Sequence, residues 1–364
     1  MTTIVLSAGG TGGHLFPAQA LAGELARRGR RVVVMTDPRG RNYESAFPDA
    51  RIEQVPSATF AGSASARLLA PFRILAGLLV GLVKLARIRP AAVVGFGGYP
   101  SLPVMSAAKL GGYPTIVHEQ NAVLGRVNRR LAPGANAVAA SLPLARFAPK
   151  TSVRLVYTGN PIRPEAAKFA TTDYAPPSGD GEIRLLIFGG SQGARALSEL
   201  VPAAIVHLPQ ALRARLHVTQ QCRNEDIQRV RATYGAIEVR AELRTFFDDL
   251  PQCMAAAHLV ISRSGASTVA ELAAIGRPAI LIPFPFATDD HQTANARVLE
   301  EAGAAWLVQQ RELSEQTLAA MLESTLGNPG SLARAAAAAH ALGRPDATER
   351  LADLVEQVAR KDAA

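Results

Sequence analysis

Residues 4–14 read IVLSAGGTGGH, and residues 183–194 read IRLLIFGGSQGA. Each is a short apolar run that breaks into a glycine-rich turn, and each is followed by a helical pattern, Pro17–Arg28 and Ala196–His207. The two turns, Gly9-Gly10-Thr11-x-Gly13 and Gly189-Gly190-Ser191-x-Gly193, lie 180 residues apart. Outward from the first, Val32–Met35, Ala91–Val94 and Thr115–His118 read as further buried strands. Outward from the second, Leu216–Thr219, Leu259–Ser262 and Ala279–Ile282 do the same. Strand, loop, helix and strand at this spacing predict βαβ units on parallel sheets with right-handed crossovers. The pattern restarts after Gly159-Asn160-Pro161. The expected fold is therefore α/β, with two doubly wound, Rossmann-like domains facing each other across one cleft. Residues 1–160 form the first and 161–344 the second. The segment 345–364, with apolar residues at helical spacing over Asp346–Arg360, is expected to return as a helix onto the first.

A chain of 364 residues that is 48% apolar and 19% charged can bury large cores, which excludes a disordered or collagen-like polymer. Cys222 and Cys253 cannot build a disulfide framework or a cysteine-rich zinc site, so a reducing compartment is expected. Charge is unevenly placed. Residues 1–150 hold 18 Lys and Arg against 6 Asp and Glu, residues 151–364 hold 21 against 24, and no acid lies between Glu53 and Glu119. The first half should face something anionic. No secretory signal is visible, and the longest apolar run, Ile74–Val83, ends at Lys84, short of the roughly 18 residues that a span needs. The chain is expected to be cytosolic or to lie on a membrane.

Ligands of open parallel sheets bind beyond the carboxyl ends of the strands, where both glycine turns sit. GGTGGH is not a dinucleotide fingerprint, because Leu15 stands where the third glycine belongs; only Asp37 resembles the ribose-binding acid of a dehydrogenase. No GxxxxGK[ST] exists, which excludes a P-loop NTPase. What such turns offer is close backbone approach and N–H groups that favour negative charge. His14 opens the helix after the first turn, where a neutral imidazole can take a proton from a hydroxyl. His118-Glu119-Gln120-Asn121 ends another strand at the same edge. Ser262–Glu271 is a third strand-to-helix transition, whose Ser or Thr can cap the helix, whose N–H groups can hold a diphosphate, and whose Glu271 can reach a ribose or complete a capping box. The polar cluster in Pro283–Gln292 can read sugar hydroxyls, and neither Asp248-Asp249 nor Asp289-Asp290 has the D-x-D spacing of metal-bridging transferases, so no metal and no cofactor is expected. Ala66–Pro90 is apolar yet carries five cations and no acid. It is expected to rest on anionic lipid through Arg67, Arg73, Ile74, Leu75, Leu78, Leu79, Lys84 and Arg87. Nucleic acid would explain the charge but not the apolar content.

The chain resembles the MurG family of UDP-N-acetylglucosamine transferases. The resemblance rests on GGTGGHLFPAQAL (9–21), GFGGYPSLP (95–103), HEQNAVLGRVNR (118–129), GNPIR (159–163), GGSQGA (189–194), SRSGASTVAEL (262–272) and DDHQTANA (289–296), in the family's order. It implies a GT-B fold and inverting transfer of N-acetylglucosamine to the C4 hydroxyl of the muramoyl unit of lipid I, giving lipid II for peptidoglycan. The enzyme would sit on the cytoplasmic face of the bacterial inner membrane, with cell-wall synthesis and division proteins as further partners. Carried over residue by residue, the donor site comprises Thr11, Gly12, Gly13, Asn121, Arg163, Ser191, Ala266, Ser267, Thr268, Val269, Ala270, Glu271 and Gln292, with uracil near the Phe247 backbone. His14 is the first choice of base and Glu119 the second. The rivals are a related lipid transferase such as a diacylglycerol sugar transferase, a non-catalytic nucleotide-sugar-binding subunit, and the dehydrogenase that Leu15 disfavours.

Overall fold

The computed structural model describes residues 2–9, 12–37, 47–58, 64–150, 152–190 and 195–361. The chain folds as two compact units, Met1–Arg163 with Pro345–Ala364, and Pro164–Arg344. The first holds β1 (Thr3–Ser7), β2 (Arg31–Thr36), β3 (Ala50–Gln54), β4 (Ala92–Gly95), β5 (Thr115–Glu119), β6 (Ala137–Ala140) and β7 (Arg154–Tyr157). They form one parallel sheet in the order β3-β2-β1-β4-β5-β6-β7. The second holds β8 (Ile183–Phe188), β9 (Leu216–Gln221), β10 (Arg240–Arg244), β11 (Leu259–Ser262), β12 (Ala279–Leu281) and β13 (Ala305–Leu307), all parallel in the order β10-β9-β8-β11-β12-β13. The two strands after each first strand add on one side of it, and the third, β4 or β11, crosses to the other, so the strand order reverses beside β1 and β8. In doubly wound sheets that switch point is where ligands bind.

Five strands lie outside the sequence expectation: β3, β6, β7, β10 and β13. ARIEQ, RLVY and RAELR carry charges on half-exposed faces, AVAA is made mostly of small residues, and AWL has three residues. A central strand of a parallel sheet is buried on both faces and reads as an apolar run, whereas β3, β7, β10 and β13 are edge strands that take strand geometry from one neighbour; β6 is buried between β5 and β7, but its alanines carry little strand propensity.

Both faces of the first sheet are covered. On one, Ile4, Leu6, Val32, Val34 and Val94 pack with Leu21 and Leu25 of the helix Gly12–Arg27 and with Leu351, Leu354 and Val355 of the helix Ala347–Lys361. Arg28 Nη1 donates to Asp353 Oδ1 at 2.6 Å and Arg30 Nε to Glu356 Oε1 at 2.8 Å, so the terminal helix is tied down at its polar margin as well. The other face takes Leu85 of the helix Ala64–Ile88 together with Val104, Met105 and Ala107 of the helix Ser101–Leu110.

The helix Ala64–Ile88 differs from its sequence reading. Leu68–Ile88, 21 residues of mean hydropathy 2.0, is long and apolar enough to cross a membrane. It lies instead along the domain, because Gly77 and Gly81 turn a small-residue stripe inward onto Pro56, Pro103 and Ala107. Lys84 Nζ pairs with Glu53, whose carboxyl is held below the ordinary range by that ammonium, so this cation belongs to the domain and not to a lipid-facing set. Ile74 and Leu78 are likewise half-buried, Leu78 against the core. Leu68, Leu69, Phe72, Leu75, Leu79 and Val83 stay exposed with Arg73 and Arg87. The Arg67 side chain lies outside the described residues.

A Cβ at Gly77 would run into the Pro56 carbonyl oxygen and sit 3.0 Å from Pro103 Cβ. Gly77→Ala is expected to lower stability by about 1–3 kcal/mol despite its gain in helix propensity, the usual cost of overpacking. Urea unfolding, compared with Gly23→Ala, where nothing lies within 4 Å, checks this.

Candidate functional site

At the carboxyl edge of the first sheet the loops after β1, β4 and β5 are stapled to one another. Ser101 Oγ, in the first turn of its helix, is within hydrogen-bond distance of Ser7 O (2.9 Å) and Gly97 O (2.7 Å), and Phe96 N donates to Ser7 O. Gly9 has no room for a side chain, since a Cβ would lie 2.7 Å from Pro100 Cγ. Gly97 and Gly98 have φ of +85° and +73°, a left-handed backbone that favours glycine. His14, in the first turn of the helix Gly12–Arg27, lays its imidazole against that turn. Nε2 would sit 3.4 Å from a Cβ on Gly97, and Nδ1 3.6 Å from one on Gly98. A Cβ on Gly98 would also lie 2.9 Å from Gly9 O, so a side chain there is blocked by backbone.

The tetrapeptide 118–121 divides its work. Burial lowers the His118 pKa from 6.5 to about 3, with the neighbouring His14 acting the same way, so the imidazole is neutral. Its Nδ1 accepts from Gln120 Nε2 at 3.0 Å, which leaves the ring hydrogen on Nε2, 3.4 Å from Ser141 Oγ. Gln120 Nε2 also donates to Phe96 O. Glu119 is 2% exposed. Its Oε1 accepts from Asn121 N (3.1 Å) and Asn121 Nδ2 (3.2 Å), and its Oε2 from Gly125 N (2.8 Å) and Asn128 Nδ2 (2.8 Å). Burial raises its pKa while those donors pull it down. Asn121 is half-buried with its amide turned to Glu119, and Arg163 is half-buried at the end of the first unit. Thr11 lies outside the described residues; Gly12 opens the helix and Gly13 is exposed.

In the second unit β8 runs into Gly189, whose N–H donates to Gln221 Oε1 at 3.1 Å, and Gly190 with φ of +91°. Ser191 and the rest of 191–194 lie outside the described residues. After β11 the helix Ala266–Ile275 begins. Its N-cap is Gly265 and no side chain caps it, so the expected Ser or Thr cap is absent. Its first turn contains no acid, and its leading N–H groups have no intrahelical partners. Ala266, Ser267, Thr268 and Ala270 are half-buried, whereas the Val269 side chain is in the core. Glu271 is buried and stands beyond the first turn, too deep in the helix for a capping box.

Arg263, just before that helix, is buried. Its Nη1 donates to Ile282 O and Pro283 O and its Nη2 to Gln310 Oε1, and the guanidinium lies 5.7 Å from the Phe284 ring. Ser264 Oγ donates to Gln292 O, Asn295 Nδ2 to Ser264 O, and Phe284 N to Gln292 Oε1. This lattice of bonds seats the loop 283–292 on the strand-to-helix turn. Within the loop Asp289 and Asp290 both adopt positive φ, 54° and 55°. Left-handed backbone at two successive non-glycine residues is strain held by its surroundings, and such strain concentrates at functional sites. The Phe247 ring is 5% exposed with the Arg244 guanidinium 5.1 Å from its centroid, whereas Phe246 is 60% exposed. Among the described residues no group of three or more His, Cys, Asp or Glu gathers where it would hold a metal ion.

Sequence reasoning singled out His14, Glu119 and Asn121 but gave no role to Gln120, Asn128 or Arg263, although all three lie inside the quoted motifs. The signal available was their polarity beside apolar strand ends: a polar residue that cannot reach water there must find a partner.

Because His118 stays neutral down to about pH 3 in the folded protein, the unfolded chain takes up a proton below 6.5 that the native state refuses. Stability therefore falls as pH drops through that window. His118→Gln removes this contribution, so its urea midpoint should decline less than the wild type's between about pH 7 and about pH 5.

Residues 4–140 match the glycosyltransferase family 28 N-terminal domain, and residues 184–357 match the family's C-terminal domain. A protein of Paramagnetospirillum magneticum named UDP-N-acetylglucosamine–N-acetylmuramyl-(pentapeptide) pyrophosphoryl-undecaprenol N-acetylglucosamine transferase is 50% identical over 97% of this chain and 95% of its own length. A protein of the same name from a Chelativorans species is 52% identical over 98% and 95%. The crystal structure of Acinetobacter baumannii MurG superposes with a TM-score of 0.81 at 32% identity, covering 98% of this chain and all of that one. With both domains matched, half the residues shared over nearly the full length, and the same fold, the chain belongs to glycosyltransferase family 28, in its MurG branch.

Proposed function

We propose that this protein transfers N-acetylglucosamine from UDP-N-acetylglucosamine to the C4 hydroxyl of the muramoyl unit of undecaprenyl-pyrophosphoryl-N-acetylmuramyl-pentapeptide, lipid I, with inversion, giving lipid II. The observation that carries this reading is the shared identity of about half the chain, end to end, with transferases of that name.

Each edge takes a role in this reading. The acceptor hydroxyl loses its proton to His14 as its oxygen bonds to the anomeric carbon. The bond from that carbon to the UDP oxygen breaks with its electron pair, and UDP leaves as the anion. The transition state is oxocarbenium-like, so positive charge builds on the sugar while negative charge builds on the diphosphate. The uncapped start of the helix Ala266–Ile275 offers N–H donors for that diphosphate. Glu271 takes the ribose diol. Gln292, whose Oε1 accepts from Phe284 N, and Asn121, held by Glu119, read sugar hydroxyls, and Arg163 is assigned to the donor as well. Glu119 acts as a positioning residue in this scheme, because both its oxygens already accept N–H groups of its own chain.

The exposed face of the helix Ala64–Ile88 supports docking on the cytoplasmic face of the bacterial inner membrane. Leu75 and Leu79, each just over half exposed, would enter the headgroup boundary with Leu68, Phe72 and Val83, while Arg73 and Arg87 meet anionic headgroups. The acceptor's prenyl chain lies in that bilayer.

Incubation with UDP-N-acetylglucosamine and a short-chain lipid I analogue should release UDP and form the disaccharide product; release of neither rejects the reading. His14→Ala is expected to cut kcat by roughly 100-fold or more, the loss typical of a general base. Near-normal turnover would move the base elsewhere. Exchanging Arg73 and Arg87 together for Gln should weaken binding to vesicles containing phosphatidylglycerol by on the order of tenfold or more. Lys84→Gln should leave vesicle binding unchanged and instead lower the urea midpoint, since its partner is Glu53.

A further inference from the structure

Among the buried side-chain atoms that lack a hydrogen-bond partner, three stand at the carboxyl edge of the first sheet: Thr36 Oγ1, Asn128 Oδ1 and Asn160 Nδ2. Asn128 is the one whose direction is fixed by its other end. Its Nδ2 donates to His118 O at 3.1 Å and to Glu119 Oε2 at 2.8 Å, which uses both amide hydrogens. Flipping the amide would set Oδ1 against two acceptors, so the assignment of oxygen and nitrogen is determined by the neighbours. A Cβ on Gly97 would lie 3.3 Å from Asn128 Nδ2, 3.4 Å from Asn128 Oδ1 and 3.4 Å from His14 Nε2. The missing side chain leaves the amide and the imidazole edge bordering the same small space. With Nδ2 committed to His118 O and Glu119 Oε2, Oδ1 is the amide atom without a partner. A buried acceptor with no donor is unfavourable, and an imidazole N–H bordering that space can supply one.

We propose that Asn128 is a positioning residue whose Oδ1 accepts the Nε2 hydrogen of His14 in the working enzyme. That bond leaves the lone pair on Nδ1, orients the ring, and offsets the positive charge that appears when the acceptor's proton arrives. The other titratable groups packed at this turn do not compete for the role: His118 is neutral with Nδ1 taken by Gln120, and Glu119 has both oxygens occupied. The chain of contacts runs from Glu119 through the Asn128 amide to His14, so a carboxyl that touches no substrate still sets the geometry of the base. The inference rests on His14 as the base, but its first test does not.

The experiment is nitrogen-15 NMR of the histidines in the full-length protein without substrate, with His14→Gln identifying the His14 resonances. A slowly exchanging Nε2–H signal is expected from His14 in the wild type and should vanish in Asn128→Ala. Asn128→Asp keeps an oxygen toward His14 while losing the amide donors, so it should retain the signal. Asn128→Ala should also lower kcat by roughly 10–100-fold, the scale of a lost hydrogen bond to a charged group, with KM for UDP-N-acetylglucosamine within about twofold. Persistence of the signal in Asn128→Ala overturns the proposal. So does its loss in Asn128→Asp, which would place the residue's importance in its Nδ2 donors alone and remains decisive if the alanine variant does not fold. The resting-state signal is read independently of turnover in His14→Ala, so failure of the base assignment and failure of this contact are separable.

Discussion

Glu119 sits at the end of β5 with almost no exposed surface, and four N–H groups converge on its two oxygens. Burying a carboxylate costs several kcal/mol unless its lone pairs are met, and meeting them is what shapes the loop from Asn121 to Asn128. The donors come from three places in that loop: the backbone and amide of Asn121, the backbone of Gly125 and the amide of Asn128. Their convergence fixes where the helix Arg126–Leu131 starts, where Asn121 points and which way the Asn128 amide faces. Even so, burial outweighs the donors and sets the carboxyl's pKa above its ordinary value. The loop from Asn121 to Asn128 at the first sheet's carboxyl end is held together by this one acid.

The second sheet solves the same problem with the opposite charge. Arg263 is buried, its pKa is lowered by that burial, and it gathers two carbonyl oxygens and the Gln310 amide oxygen instead of N–H groups. A buried cation consumes acceptors and leaves donors over, and the donors left over here belong to the first turn of the uncapped helix Ala266–Ile275. A buried anion consumes donors, and the atom left over beside Glu119 is an acceptor, Asn128 Oδ1. The two edges thus differ in what they offer a substrate. One presents N–H groups, the kind of donor that suits an anion, and the other leaves over an acceptor oxygen.

The helix Ala64–Ile88 shows what composition leaves undecided about a segment: which of its residues face the domain. Its glycines face inward because only a side chain of hydrogen lets it approach Pro56 and Pro103, and its large apolar residues face outward because the inward stripe has no space for them. A contiguous exposed patch of Leu and Phe is unfavourable in water and needs a cover. The cations divide the same way: Lys84 reaches back to an acid on β3, while Arg73 and Arg87 remain exposed.

How much of this was legible beforehand follows from the range of each interaction. The glycine turns after β1 and β8, the apolar central strands and the restart after residue 160 are set by neighbours in sequence, through turn chemistry and side-chain period, and a single chain displays them. The edge strands β3, β7 and β10 were not legible, because half-exposed charged residues become strands only when a sheet is already beside them. Nor was the choice between Phe246 and Phe247, adjacent residues of one type that tertiary packing sends in opposite directions. The roles of Glu119, Lys84 and Arg263 depended on partners six, 31 and 47 residues away. Sequence by itself determined that two glycine-edged parallel sheets would form and which polar residues would stand at their ends. Only the folded chain decided which of those residues satisfy one another and which are left over, because a buried polar group takes whatever partner three-dimensional packing brings within about 3 Å, and sequence distance places no limit on that.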